Sequence, residues 1–425
     1  MSFRLSKPSL IEGRREWLLF FVLAATILVS TLSWQFYRYT QFVSQKKIYT
    51  RADVLMQYTK RKGSREYEVL KLETEDGRTL YTTSREALKN LRGRNVSLLL
   101  FPRKVSFADY LSIPYVPSAI LRVNAERSMR MQIYETIAAQ HRNAWMQELF
   151  GALFLALPIS KKLREKVTLL GVNHLLALSG FHMGLLWLIL YGMASLVYKP
   201  LQQRFFPWRH RLLDVGAVTV ALLGLYLLFT GIPPSLLRAY AMVLVGWLAL
   251  LLGIELLSFT FLGVCVVMLA ALFPALILSI GFWLSVSGVF FIYLFLQWTQ
   301  SWPKWAIFLT LNLWVYLAML PVVHLFFGTF TLYQWVSPLL TILFTLFYPL
   351  AIVLHIFGVG GVIDPIVITL LQWPQAGLAA DIATPVWFFV LFLLFSLAAV
   401  RWRRALYVQA GLMLLFFVYL VQQVA

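Results

Sequence analysis

Two histidines and a serine interrupt an apolar stretch of this chain, Gly171-Val-Asn-His-Leu-Leu-Ala-Leu-Ser-Gly-Phe-His-Met-Gly184. His174, Ser179 and His182 are the groups in it that can do chemistry. Polar side chains at membrane depth are costly and usually face a cavity or a partner helix. As metal ligands, the two histidines would stand about 12 Å apart on a continuous helix, too far to share one ion. A break at Ser179-Gly180 would be needed to bring them together, and no acidic third ligand lies nearby. Ser179 as a hydrolase nucleophile lacks the flanks of a nucleophile elbow. Lining a pore, or hydrogen bonding between helices, suits the three better. Arg238 is the second point of interest. It sits just inside another apolar run, after Pro233-Pro234. A helix starting there would add its positive end to the guanidinium, an arrangement suited to phosphate. The competing role is a side chain that snorkels to lipid headgroups or bonds a carbonyl.

The elements that must position these residues are membrane helices. Mean hydropathy is +0.74, with 60% hydrophobic and only 13% charged residues. A soluble chain of this length could not cover so much apolar side chain. Spans are expected near 17–37, 178–198, 212–231, 235–253, 256–273, 277–298, 304–327, 334–358, 384–400 and 404–424. The 17–37 run is long for a secretory signal and reads as an anchor helix with its basic end in the cytoplasm. Basic turns at Lys199–Arg211 and Arg401–Arg404 should both face the cytoplasm. Simple alternation of spans puts them on opposite sides. One segment must therefore be re-entrant, broken into two or misassigned, and the Pro-bearing stretch 334–358 and the interrupted stretch 360–383 are the best suspects.

Residues 38–111 differ in kind. Strands are expected at 48–58, 66–74, 79–83 and 95–101, with an Asp76-Gly77 turn and a short helix over 84–91. A small β-barrel of OB-like type fits this order. Between Arg38 and Arg130 there are 19 basic and 9 acidic residues, an excess of +10. Lys60, Arg61, Lys62 and Arg65 cluster in one loop, and Arg92 and Arg94 flank another turn. They could track a phosphate backbone or form an ordinary solvated surface. Residues 117–141 read as an amphipathic helix on the membrane surface, and 145–157 as a re-entrant or interfacial segment. The single cysteine, Cys265, excludes an intramolecular disulfide. The net charge of +19 suits a polyanion or an anionic lipid surface without choosing between them. The fold class is therefore an all-α polytopic membrane protein with a small N-terminal extramembrane β-barrel. Its parts are 1–37, 38–111, 112–170 and 171–425.

The 171–184 run resembles the ComEC family of competence proteins, with its Gly-x-x-His-Leu-Leu-Ala-x-Ser-Gly-x-His signature. Gly231-Ile-Pro-Pro-Ser-Leu-Leu-Arg-Ala-Tyr-Ala-Met242 is similar to that family's Ser-x-x-Arg-Ala-x-x-Met segment. Phe273-Pro274 with Gly281-Phe-Trp-Leu-Ser285 resembles its Gly-Phe-Gln-Leu-Ser segment, with Trp283 in place of Gln. Phe327-Gly-Thr-Phe330 through Pro338 and Pro349 matches its late Pro-interrupted helices. The resemblance implies an inner-membrane channel for single-stranded DNA, with His174, Ser179, His182, Arg238 and Ser285 on the DNA path. It implies a periplasmic DNA receptor and cytoplasmic DNA-processing proteins or a motor as partners, besides membrane lipid. Many relatives carry a metallo-β-lactamase-like domain, whose His-x-His-x-Asp-His signature is absent here. A channel-only form is expected, with any strand degradation left to a separate nuclease. No cofactor is implied, and a homodimer stays open. No Walker loop is present, so energy would come from elsewhere. An intramembrane enzyme using His174, Ser179 and His182, or a small-solute transporter, are the alternatives.

Overall fold

The computed structural model describes residues 13–62, 65–84, 90–124, 128–251, 253, 258–374 and 379–424. Arg4, Lys7, Arg127 and most of the expected 84–91 helix lie outside the described residues, as do the side chains of Lys62 and Arg65.

Helix α1 (Arg14–Ser44) leads into a sheet formed by β1 (Ile48–Lys62), β2 (Arg65–Thr74), β3 (Thr79–Ser84), β4 (Asn95–Leu100) and β5 (Ser118–Asn124), with α2 (Phe107–Leu111) before the last strand. The strand order is β3-β2-β1-β4-β5, antiparallel throughout. Alternate residues bury one face, as period-two patterning requires. Ala52, Val54, Leu70, Leu72, Leu80, Val96, Leu98 and Leu100 form its core with Val116. Gly77 supplies the left-handed residue of the β2–β3 turn (φ +76°), where Thr74 N–H donates to the Arg78 carbonyl at 2.8 Å. β3 meets the segment leading into β5 through one parallel bridge rather than a ladder, so the sheet is not a closed barrel. Tyr81 N–H donates to the Pro114 carbonyl, and Val116 N–H donates to the Tyr81 carbonyl, each at 2.8 Å.

The expected surface helix over 117–141 is corrected in its first part. Residues 118–124 pair with β4 as a strand, because the free edge of β4 satisfies their backbone groups. Helix begins only at α3 (Met129–Ala138). Next, α4 (Ala144–Leu155) matches the segment read as re-entrant or interfacial, and it is enclosed by protein: Met146 and Phe150 are fully buried.

The remaining helices are α5 (Lys161–Leu169), α6 (Asn173–Leu176), α7 (Gly180–Phe205), α8 (Arg211–Phe229), α9 (Pro234–Leu251), α10 (Phe259–Leu272), α11 (Ile280–Trp298) and α12 (Lys304–Val323). Strand β6 (Thr329–Thr331) precedes α13 (Ser337–Ile356) and α14 (Asp364–Gln372). Strand β7 (Ala379–Asp381), α15 (Val386–Ala398) and α16 (Arg403–Gln422) end the described chain. Among the described residues, eight helical stretches are long and apolar enough to cross a membrane. Those in α1, α7, α8, α9, α11, α12, α13 and α16 coincide with expected spans. The helical parts of α10 and α15 are shorter, 14 and 13 residues. This is a multi-pass membrane protein.

The structure resolves the alternation problem. From the basic loop before α8, that helix runs to the turn at Gly231, where α9 begins. Arg238 in α9 lies against Gly281 and Phe282, so α11 begins on the same face as α9. The far end of α11 meets the end of α15: Gln297 donates to the Val400 carbonyl at 2.9 Å, and Trp298 to that of Ala399 at 3.0 Å. The 401–404 turn therefore shares a face with the loop before α8. Strands β6 and β7 pair antiparallel, so α13 and α14 leave and return at one place and add no net crossing.

Candidate functional site

The sheet domain docks on the turn that presents Arg238. Arg130 of α3 donates to Glu73 of β2 at 2.9 Å and to the Leu155 carbonyl at 2.9 Å. Burial pushes the Glu73 carboxyl up, opposed by the Arg130 charge, and burial pushes the Arg130 guanidinium down, opposed by Glu73. The pair lies directly on Gly231 (φ +80°), where an added Cβ would overlap Glu73 Oε1 and stand 2.9 Å from Arg130 Nη1. The next residue, Ile232, is also left-handed (φ +51°), a costly conformation for a β-branched side chain. This tight reversal lets α9 start at Pro234, where a missing N–H costs nothing.

Arg238 lies in the first turns of α9 and is 7% exposed. Its Nε has no hydrogen-bond partner, and among the described residues no carboxylate pairs with it. The guanidinium carbon is 5.9 Å from the Phe282 ring centre, and both terminal nitrogens stand 3.7 Å from the Cβ position of Gly281. Gly281 lies in the first turn of α11, whose N-cap Ser279 accepts from the Phe282 N–H at 3.4 Å. Gly180, the first residue of α7, places its Cβ position 4.0 Å from Ala239 Cβ. The starts of α9 and α11 thus meet at one guanidinium, and α7 starts beside the next residue of α9. Each contributes a positive end.

The break expected at Ser179-Gly180 is present. After the one-turn helix α6, residues Ala177 and Ser179 are extended, and α7 begins anew. Gly171 (φ +68°) starts the motif under Gln334, and Ser337 donates to the Gly171 carbonyl at 2.9 Å. His174 Nε2 meets Thr341 Oγ1 of α13 at 3.1 Å. Ser179 Oγ lies 3.3 Å from His182 Nδ1. His182 is fully buried, edge-on to Phe344 at 5.2 Å and Tyr348 at 4.9 Å, and its Nε2 has no partner. His182 therefore does not line an aqueous route in this conformation, because α13 lies over it. Thr341, Phe344 and Tyr348 were missed in the sequence. They are ordinary span residues there, and only packing singles them out.

Ser285 is half-buried, one turn beyond Gly281 on the same face of α11. Trp283 turns away and donates to the Ile277 carbonyl at 2.9 Å. On the sheet, Lys60 and Arg61 are exposed and Arg94 is half-buried. Arg92, expected among the guiding charges, holds the sheet domain against α4. It bonds Glu148 at 3.0 Å and the Pro158 carbonyl at 2.8 Å, joining the sheet to α4.

A family model described as competence protein matches residues 157–424, more than half the chain. The chain belongs to the competence protein family. The match covers every motif discussed above, from Gly171 to Pro349. No curated protein and no solved structure matches. Membership gives this competence protein a role in competence DNA uptake. The buried, uncompensated positive charge is the feature of its geometry that most directly suits a polyanion.

Proposed function

We propose that this protein is the inner-membrane channel through which single-stranded transforming DNA passes. The observation that carries the reading is Arg238, a buried guanidinium at the starts of α9 and α11 with no counter-ion among the described residues. A lone buried charge costs several kcal/mol unless something answers it. A passing phosphate answers it transiently, and a weak site permits release. His174, Ser179 and Ser285 lie along the same path, with His182 behind the α13 lid. The conformation described is then a closed one, and α13 must move for DNA to pass.

We read the sheet, whose β3 is bridged to the segment entering β5, as an OB-like domain. It would stand on the periplasmic face, opposite the two basic turns. Lys60, Arg61, Arg94 and the neighbouring Lys62 and Arg65 would guide the strand. A periplasmic receptor would deliver it, and cytoplasmic proteins or a motor would draw it in. A separate nuclease and a homodimeric assembly belong to the same proposal. The Ser179–His182 contact alone favours a hydrolase, and the aromatic lid over His182 argues against one.

A deletion strain tests this directly. Transformation should collapse while DNA accumulates in a nuclease-protected periplasmic pool. Undiminished transformation rejects the proposal. Arg238→Gln at normal membrane abundance should cost at least about tenfold in uptake, the scale of one charge-assisted contact.

A further inference from the structure

A second cluster of titratable groups lies away from Arg238, where the linker between α3 and α4 meets the turn between α13 and α14. His141 Nδ1 is 2.8 Å from Asp364 Oδ1, and His141 Nε2 is 2.9 Å from His355 Nε2. His355 Nδ1 is 2.6 Å from the Ala351 carbonyl. His141 is 3% exposed and stacks flat on Phe150 at 4.7 Å, while Asp364 is 9% exposed. Gln140 completes the clamp. It donates to the His355 carbonyl at 3.1 Å and accepts from the Gly360 N–H at 2.9 Å.

The bonds fix the proton count. A carbonyl only accepts, so His355 Nδ1 carries hydrogen. The contact between the two Nε2 atoms needs one proton, carried by either ring. The remaining contact, His141 Nδ1 to Asp364, needs one proton, held by either partner. The chain is therefore satisfied by one proton beyond two neutral imidazoles and a carboxylate. Removing that proton sets a ring lone pair against a carboxylate. Adding a second sets two N–H groups against each other across the 2.9 Å contact. Asp364 and His141 are the charged or titratable groups that act on His355. Arg142, next in the chain, is exposed, and the other neighbours of the two rings, Gln140, Gln147, Phe150, Phe154 and Gly360, are neutral. The three side chains form a line rather than a cage. Among the described residues no three His, Cys, Asp or Glu groups converge as metal ligands.

We propose that His141, His355 and Asp364 form a proton-binding latch that seats α13 over the break at His174–His182 in one protonation state. His355 lies seven residues beyond Tyr348 on α13, about 10 Å along the helix. Tyr348, Phe344 and Thr341 are the residues that hold the two histidines. A second proton breaks the His141–His355 bond, frees the turn from the α3–α4 linker, and loosens the lid.

Hydrogen–deuterium exchange on the full-length protein in detergent, at about pH 7.5 and about pH 5.5, tests it. After correction for intrinsic rates, amides in 355–364 should exchange about tenfold faster at the lower pH, and those in 337–348 should follow. The change should reverse on neutralisation. His355→Gln, which cannot take the second proton, should exchange alike at both values. Equal protection of 355–364 in the native chain overturns the proposal without needing any variant. So does a full pH response in folded His355→Gln. A change confined to 355–364 overturns the coupling to the lid.

Discussion

Arg130 and Arg238 are both largely buried, at the domain junction and at the helix starts respectively, and their surroundings are opposite in kind. Arg130 has a carboxylate at 2.9 Å and backbone carbonyls to receive its other protons. Arg238 has an aromatic ring, glycine backbone and two helix starts, with no anion among the described residues. A guanidinium with its own counter-ion holds two parts of a protein together. One without a counter-ion is left able to meet a ligand. The two sites are linked, since the Arg130–Glu73 pair sits on the turn from which α9 begins.

The largest effect should come from that turn. Gly231→Val places a β-branched side chain at φ +80° and against Glu73, and should cost about 3 kcal/mol or more. Membrane abundance should fall sharply, read by immunoblot of membrane fractions. Arg130→Met strands Glu73 and should cost about 3 kcal/mol, read as a lowered thermal aggregation midpoint. Adding Glu73→Leu should recover much of the loss. If it does not, the pair is not acting as a unit.

Arg238→Gln should behave in the opposite way. It removes an unanswered buried charge, so stability should hold or rise by up to about 1 kcal/mol while uptake falls. Loss of stability comparable to Arg130→Met would erase the contrast between the two arginines. The smallest effect concerns pH. Because burial raises the Glu73 carboxyl in the folded chain, the folded state takes up that proton first as pH falls toward the ordinary carboxylate range. This group therefore adds stability on acidification and loses it as pH rises through its folded value. Glu73→Gln should flatten that part of the pH profile of the thermal midpoint.

Much of the frame was legible in the residues. Asp76-Gly77 marked a hairpin, alternating apolar residues marked β2 to β4, and long apolar runs marked most of the membrane helices. Pro233-Pro234 and Ser179-Gly180 marked the starts of α9 and α7, because proline and glycine act on the local backbone. Residues 118–124 misled. Ile120, Leu121 and Val123 mixed with Arg122 carry either period, and only the free edge of β4 made them a strand. Arg92 looked like its basic neighbours until Glu148, 56 residues away, claimed it.

By itself, the amino-acid sequence determined that this chain lives in a membrane, where its helices break, and which polar groups lie at depth. Those are properties of hydropathy and local backbone chemistry, and they need no partner. Tertiary structure alone decided which arginine found an anion, that α13 and α14 return to their starting face, and that His141, His355 and Asp364 meet. Each of these depends on contacts between residues far apart in the chain, and no local propensity encodes them.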